Sequence, residues 1–488
     1  MKKCLAYAVA LGALAPLGNV ALAADATDDS LTWFGVTLYG TVDVGYTYQN
    51  RGTPLNDYFP PGLEYMVQKN ATKSISSISQ NGMSQSKVGL RGIHEFFPGF
   101  SGVFRLETHF SPINGNLADG VKSVVQNNGV FAPNQNTNGD SNRAGQPFGG
   151  SAYAGVQSKD FGTLTLGRQN SLLADNIAKY DPLSGSYAFS FLGYSGTFGG
   201  SGDTQDLRLD NSVKYFNQIG RFRIAGMFAN GYGTGSGGNA LEGDIGGDPL
   251  PGLSIDAVYA NKKDAVLATP ASPSQFRVCN PPTLVPGTGT TACLSPTISA
   301  DTAVNATVSD NWTWGVLASY LWQQFKFSAG YEDIHFRNPQ THLFPGQPDL
   351  GGYTLGWVNN NAYPEKAKLL QYSFAGVKYS PFGKLDVYAA WYYIFQNQFR
   401  HGAAITCPGG NLAATFHENS ACSGRQAGYS LVADYKFDRH FDVYVGAMYS
   451  HLADGLAAGT AASAVGPYPA YNSNTFSIDP TIGGRFNF

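Results

Sequence analysis

The sequence predicts an all-β chain: a transmembrane antiparallel β-barrel of sixteen strands with one long connection folded inward. Three observations carry that prediction. Apolar and small polar residues alternate along segments of about ten residues, as in strands with one apolar and one wet face. Aromatic residues make up 13% of the chain and glycines number 60, while charged residues are held to 13%, well below the usual share. The connections between segments alternate between tight and long, which gathers turns at one end of a barrel and loops at the other.

Residues 1–23 read as an export signal. Lys2 and Lys3 precede the apolar run LAYAVALGALAPLG (5–18), and Ala21-Leu22-Ala23 offers a small-x-small cleavage site. The mature chain is expected to start at Ala24, with one barrel domain filling 24–488. The formal net charge of −3 becomes more acidic once the two lysines leave, and it gives no support for nucleic-acid binding. No later run reaches the roughly 18 apolar residues a membrane helix needs. An exported chain of alternating strands can still cross a membrane as a closed barrel, where every backbone group finds a partner.

Seven tight turns fall at 97–100, 159–162, 217–220, 249–252, 323–324, 380–383 and 438–440. Eight longer connections lie between them, near 50–84, 112–150, 170–206, 231–238, 262–310, 337–366, 401–425 and 453–475. Together they join sixteen strands. In 35–48, Val36, Leu38, Val42, Val44 and Tyr46 share one face, and Thr37, Thr41, Asp43 and Thr47 the other. In 103–110, Phe104, Leu106 and Phe110 oppose Arg105, Glu107 and His109. The apolar face is too large to fit inside and is expected to meet lipid, with Tyr46, Tyr48, Trp312, Trp322, Tyr379, Trp391 and Tyr449 in interfacial girdles. The last segment, FSIDPTIGGRFNF (476–488), ends on Phe488 and is expected to close onto the first. Segment 385–395 is apolar on both faces, which suits either a contact between subunits or a stacking surface.

Segment 171–206 is too long for an ordinary loop. It mixes Tyr180, Tyr187, Phe189 and Phe191 with Asp175, Asp181, Asp203 and Asp206, and arginines flank it at 168 and 208. The aromatics give it area with which to fold against a wall, and the acids stay available to water. It reads as an acidic loop folded inside the barrel, facing a basic wall.

Four cysteines remain after the signal, in two connections rich in Pro, Gly, Ser and Thr. An oxidising compartment suggests the pairs Cys279–Cys293 and Cys407–Cys422. A zinc site lacks paired C-x-x-C spacing. The eight histidines show no metal spacing, and His94 and His109 read as solvated strand residues, with lumen lining as the alternative. No cofactor, metal or catalytic residue is expected.

At this point the chain resembles the general trimeric porins of Gram-negative bacteria, most closely their β-proteobacterial branch. The matching pieces are SKVGLRG (86–92), YAGVQSKDFGTLTLGRQNS (153–171), DPLS (181–184), RLDNSVKY (208–215) and the terminal Phe. The long loops 262–310 and 337–366 and the cysteine pairs depart from the family pattern. The resemblance implies a homotrimer in the outer membrane, in contact with its lipid and lipopolysaccharide. Each barrel would hold its third loop in the lumen, opposite a ladder of basic residues: Lys87, Arg91, Arg168 and Arg208. Arg105 joins them on alternation alone. The acidic partners would be Asp175 and Asp181, with Asp203 and Asp206 as further candidates. Passive, size-limited diffusion of small hydrophilic solutes and ions follows from such a charged, water-filled constriction. A channel selective for sugars or anions is the alternative. An outer-membrane barrel enzyme would need a Ser-His-acid group on the outer wall, to which nothing in the sequence points.

Overall fold

The structure is a computed structural model of the chain. It describes residues 31–50, 74–113, 147–191, 208–230, 239–262, 310–337, 368–398, 423–454 and 474–488, with short pieces of the connections between them. The signal-peptide reading, Asp203, Asp206 and all four cysteines of the proposed pairs lie outside the described residues.

The barrel strands are β1 (Val36–Gln49), β2 in two pieces (Ile75–Gln80 and Lys87–Phe97), β3 (Phe100–His109) and β4 (Ser151–Ser158). After β5 (Gly162–Asn170) comes the helix α1 (Leu172–Tyr180), then β6 (Arg208–Ile219), β7 (Phe222–Ala229), β8 (Ala240–Leu250) and β9 (Leu253–Lys262). The remainder are β10 (Asp310–Trp322), β11 (Phe325–Arg337), β12 (Lys368–Phe382) and β13 (Leu385–Gln396). The last three are β14 (Gly424–Lys436), β15 (Phe441–Asp454) and β16 (Asn474–Asn487). Each strand pairs antiparallel with its sequence neighbours, and β16 returns to β1 in the register Thr41↔Asn487 through Thr47↔Thr481. Phe488 completes the seam, its backbone exchanging hydrogen bonds with Gly40 at 2.9 and 3.1 Å. Such closure leaves no sheet edge to face hydrocarbon. No helix among the described residues is long and apolar enough to cross a membrane.

Alternation decides which residues meet lipid. Leu164, Leu166, Ile224, Ile245, Val316, Leu431 and Ile482 are exposed on the outside, while Asp43, Glu107, Thr313 and Asp434 are buried inside. Aromatics mark the turn end of the belt, with Phe325 stacked on Tyr379 at 4.6 Å and on Trp322 at 6.1 Å.

One expected connection is shorter than the sequence suggested. Residues 75–80, within the supposed 50–84 loop, pair with the upper half of β1 from Val44↔Gln80 to Gln49↔Ile75. ISSISQ carries only two large apolar residues, so its alternation was faint. The six residues between the two pieces of β2 turn inward, because Asp43 of β1 gathers them. Its carboxylate accepts from the Met83 and Ser84 backbone at 2.9 and 2.7 Å and from the Tyr444 hydroxyl at 2.6 Å.

Segment 171–191 runs over the inner faces of the barrel. The Ser171 hydroxyl caps α1 by accepting from Ala174 N at 3.0 Å, a favoured N-cap geometry. The helix meets β8 where Leu172 N donates to Glu242, β9 where Lys179 and the Tyr180 hydroxyl reach Asp256, and β11 where Lys326 donates to the Lys179 carbonyl. Farther on, Phe191 packs on Tyr392 of β13 at 5.4 Å, and Ser430 of β14 donates to the Phe189 carbonyl. Phe189 then meets Tyr444 of β15 edge-on at 6.2 Å, and Ser186 and Ala188 donate to Gly82 of the β2 excursion. A single apolar cluster unites Ile177, Tyr180, Phe189 and Phe191 with Tyr372, Phe374, Tyr392, Val432 and Tyr444 of the wall. That settles the two-faced segment 385–395. Tyr388, Tyr392 and Ile394 are buried, with Tyr392 packed on Phe191 of the inserted segment, while Trp391 points outward. At Tyr392 the inner face is therefore a seat for the inserted segment and not a stacking track for solutes.

Truncating Phe191 to Ala would empty a fully enclosed site, at a cost of about 3–5 kcal/mol. Protease cleavage within 171–191 should become faster in the detergent-solubilised variant, while far-ultraviolet circular dichroism keeps the β signature.

Candidate pore constriction

Strand β3 supplies the centre of the charged site. Alternation turns Arg105, Glu107 and His109 inward together, and Glu107 is almost completely buried among cations. Arg105 Nη2 bonds its Oε2 at 2.6 Å, and Lys87 Nζ lies 3.7 Å away. On the Oε1 side, His109 Nε2 stands at 3.0 Å and Arg208 Nη2 at 3.9 Å. Tyr39 of β1 donates its hydroxyl to Glu107 at 2.9 Å and accepts from Arg105 Nε at 2.7 Å. Gly89 lets the phenol reach in, since a Cβ there would stand 2.5 Å from the hydroxyl. The Arg91 and Arg105 guanidinium carbons lie 5.4 and 5.1 Å from the Tyr39 ring centre, within cation–π range.

Arg168 reaches the same region by a different route. Strict alternation from the outward Leu164 and Leu166 would send it to lipid. A β-bulge between Gly167 and Gln169 breaks the register, with Gly167 at φ 133°, and a bulge redirects side chains. Arg168 is therefore buried, donating to the Gly149 carbonyl at 2.9 Å and pairing with Asp210 at 2.6 Å. All five basic positions singled out from the sequence thus lie on the inner wall formed by β2, β3, β5 and β6.

Of the two described loop acids, Asp175 meets a cation of the wall, though a lysine not singled out beforehand, and Asp181 does not. Asp175, in the first turn of α1, pairs with Lys214 of β6 and accepts from Asn170 Nδ2 at 2.9 Å. Asp181 does not face the arginines. It is buried at the end of α1, accepting from Leu183 N at 3.0 Å, Gly185 N at 2.9 Å and the Ser190 hydroxyl at 3.0 Å. Its role is to close the turn that the DPLS motif spells, since a carboxylate satisfies several backbone donors at once. The acids that do meet the basic wall are Glu107 and Asp210, from the wall itself. His109 takes the second of its two expected places, on the inner face, as a buried partner of Glu107.

Below α1, toward the turns, lies an open chamber bounded by α1 and strands β3 to β9. Arg223 borders it, bonded to Asp256 at 3.2 Å and to Asp248 at 2.7 Å. Its neighbour Arg221 is exposed at the rim, donating to the Pro249 carbonyl.

A closed barrel that is apolar outside, charged within and crossed by its own third long connection defines a pore-forming protein of the outer membrane. A family model described as Gram-negative porin matches residues 8–456, and the chain belongs to that family. It is 27% identical over 180 residues to an outer membrane porin protein of Bordetella pertussis, a match covering 37% of this chain and 38% of that relative. Among solved structures, an anion-selective porin from Comamonas acidovorans shares the fold with a TM-score of 0.57 at 17% identity, covering 93% of this chain and 99% of that one.

Replacing Glu107 with Gln would leave its buried cations facing one another. Losing one partner of such a buried group costs on the order of 3–5 kcal/mol, so the variant should unfold at a distinctly lower temperature in detergent than a Glu95→Gln control at the exposed end of β2.

Proposed function

We propose that this chain is a passive diffusion channel for small hydrophilic solutes and ions, with a constriction that favours anions. The observation that carries the reading is the charge balance of the inner wall. Lys87, Arg91, Arg105, Arg168 and Arg208 gather around two acids, Glu107 and Asp210. The two loop acids within the described residues do not offset them, since Asp175 is held by Lys214 and Asp181 is sealed in its turn. A surplus of fixed positive charge in a narrow aqueous passage raises the local concentration of anions and lowers that of cations. The basic wall lines the pore side by side, and the inserted segment supplies width control more than counter-charge. A track for sugars would need solvent-facing aromatics, whereas Tyr372, Phe374 and Tyr392 are buried beneath the loop.

The family and fold are those of a channel, and the proposed mechanism needs no turnover and no cofactor. We take the working unit to be a homotrimer surrounded by outer-membrane lipid and lipopolysaccharide, exported with cleavage before Ala24. Its exposed loops would be stapled by Cys279–Cys293 and Cys407–Cys422, and four free thiols found by mass spectrometry in the exported protein would remove the staples.

The reversal potential of single channels in a potassium chloride gradient tests the selectivity. It should carry the sign of chloride preference, and Arg168→Ala or Arg208→Ala should shift it toward potassium while conductance rises. Cation preference in the unmodified channel would refute the reading, and unchanged potentials in both variants would take those two residues out of the constriction.

A further inference from the structure

The chamber below α1 holds a charge the constriction does not use. Three acids line it. Asp175 is paired with Lys214, and Asp256 with both Lys179 and Arg223. The third, Asp244 of β8, forms no ion pair among the described residues, and its Oδ1 is buried without a hydrogen-bond partner there. Asn176 of α1 supports the carboxylate. The β-sheet register shows what stands beside it: Asp244 pairs across to Ala225 of β7, and Ala225 to Phe216 of β6. All three line the chamber. The small Ala225 side chain therefore leaves a recess flanked by a carboxylate and an aromatic ring. That pair of groups suits an ammonium, by charge on one side and by cation–π attraction on the other.

Arg105, Lys179, Lys214 and Arg223 line the same chamber and offer N–H donors to an anionic group. A solute that brings its own carboxylate meets both requirements. We propose that this recess is a binding subsite for small zwitterions, with the ammonium against Asp244 and Phe216 and the carboxylate turned toward the surrounding lysines and arginines. The inference rests on the channel reading and adds a solute class to it.

Swelling of liposomes containing the full-length protein separates the two, using three solutes of nearly equal size: alanine (zwitterion), lactamide (neutral) and lactate (anion). Alanine should enter the unmodified channel several-fold faster than lactamide. In Asp244→Asn that advantage should vanish, while lactate stays ahead of lactamide. Ala225→Leu fills the recess without changing a charge and should abolish the alanine advantage as well, which covers the case that the Asn variant fails to fold. An alanine-to-lactamide ratio that is unity in the unmodified channel, or unchanged in both variants, would overturn the subsite and leave the channel intact. Failure of lactamide to enter at all would overturn the channel reading and the subsite together.

Discussion

Hydrocarbon gives no hydrogen bonds, so every backbone N–H and C=O that enters the membrane must be satisfied within the sheet. The seam between β1 and β16 is where this demand is met or lost. It holds through seven paired positions and the terminal Phe488. Everything else follows from the closed cylinder. The number of strands must return the chain to its starting side, side chains must alternate between lipid and lumen, and any irregular backbone must sit inside or beyond the rims.

The inside is used for two different purposes. Along β10 to β15 the inner wall is a binding face for the chain's own loop, with tyrosines, Phe374 and Val432 packed against Phe189 and Phe191. Each enclosed ring contributes about 1.5–3 kcal/mol by leaving water. Along β2 to β6 the wall is crowded with cations around Glu107 and Asp210. The loop is therefore anchored by apolar burial on one side, and its near side faces the charges without having to neutralise them. Asp43 and Asp181 serve the anchor: one pulls the β2 excursion inward as a ledge for Ser186 and Ala188, the other fixes the turn after α1.

Much of the barrel could be read from the chain because a period of two is a strong signal when one face is greasy and the other polar. The turns, the strand count and the inward set of β3 were legible for that reason. Legibility failed where the lumen is dry. Tyr392 and Ile394 made β13 look apolar on both sides, and nothing local says that the partner of the inner face is a loop some 200 residues earlier. Alternation alone would also have misplaced Arg168. Its inward position was expected from its place beside the acidic insert and from the family resemblance, and the physical cause is the bulge at Gly167. Asp181 shows the opposite error: an acid on an inserted loop looks like a lumen charge until its backbone donors are known. Glu107, Asp210, Lys214 and Tyr39 were missed as site members, although alternation placed Glu107 on the correct face.

The central claim is that a wide cylinder is narrowed from within by segment 171–191. Conductance of single channels in the presence of neutral polymers of graded size measures the narrowest passage directly, since a polymer that enters lowers the current and one that is excluded does not. The account predicts that only the smallest polymers enter. Entry of polymers as wide as the open bore of a sixteen-stranded barrel would contradict it.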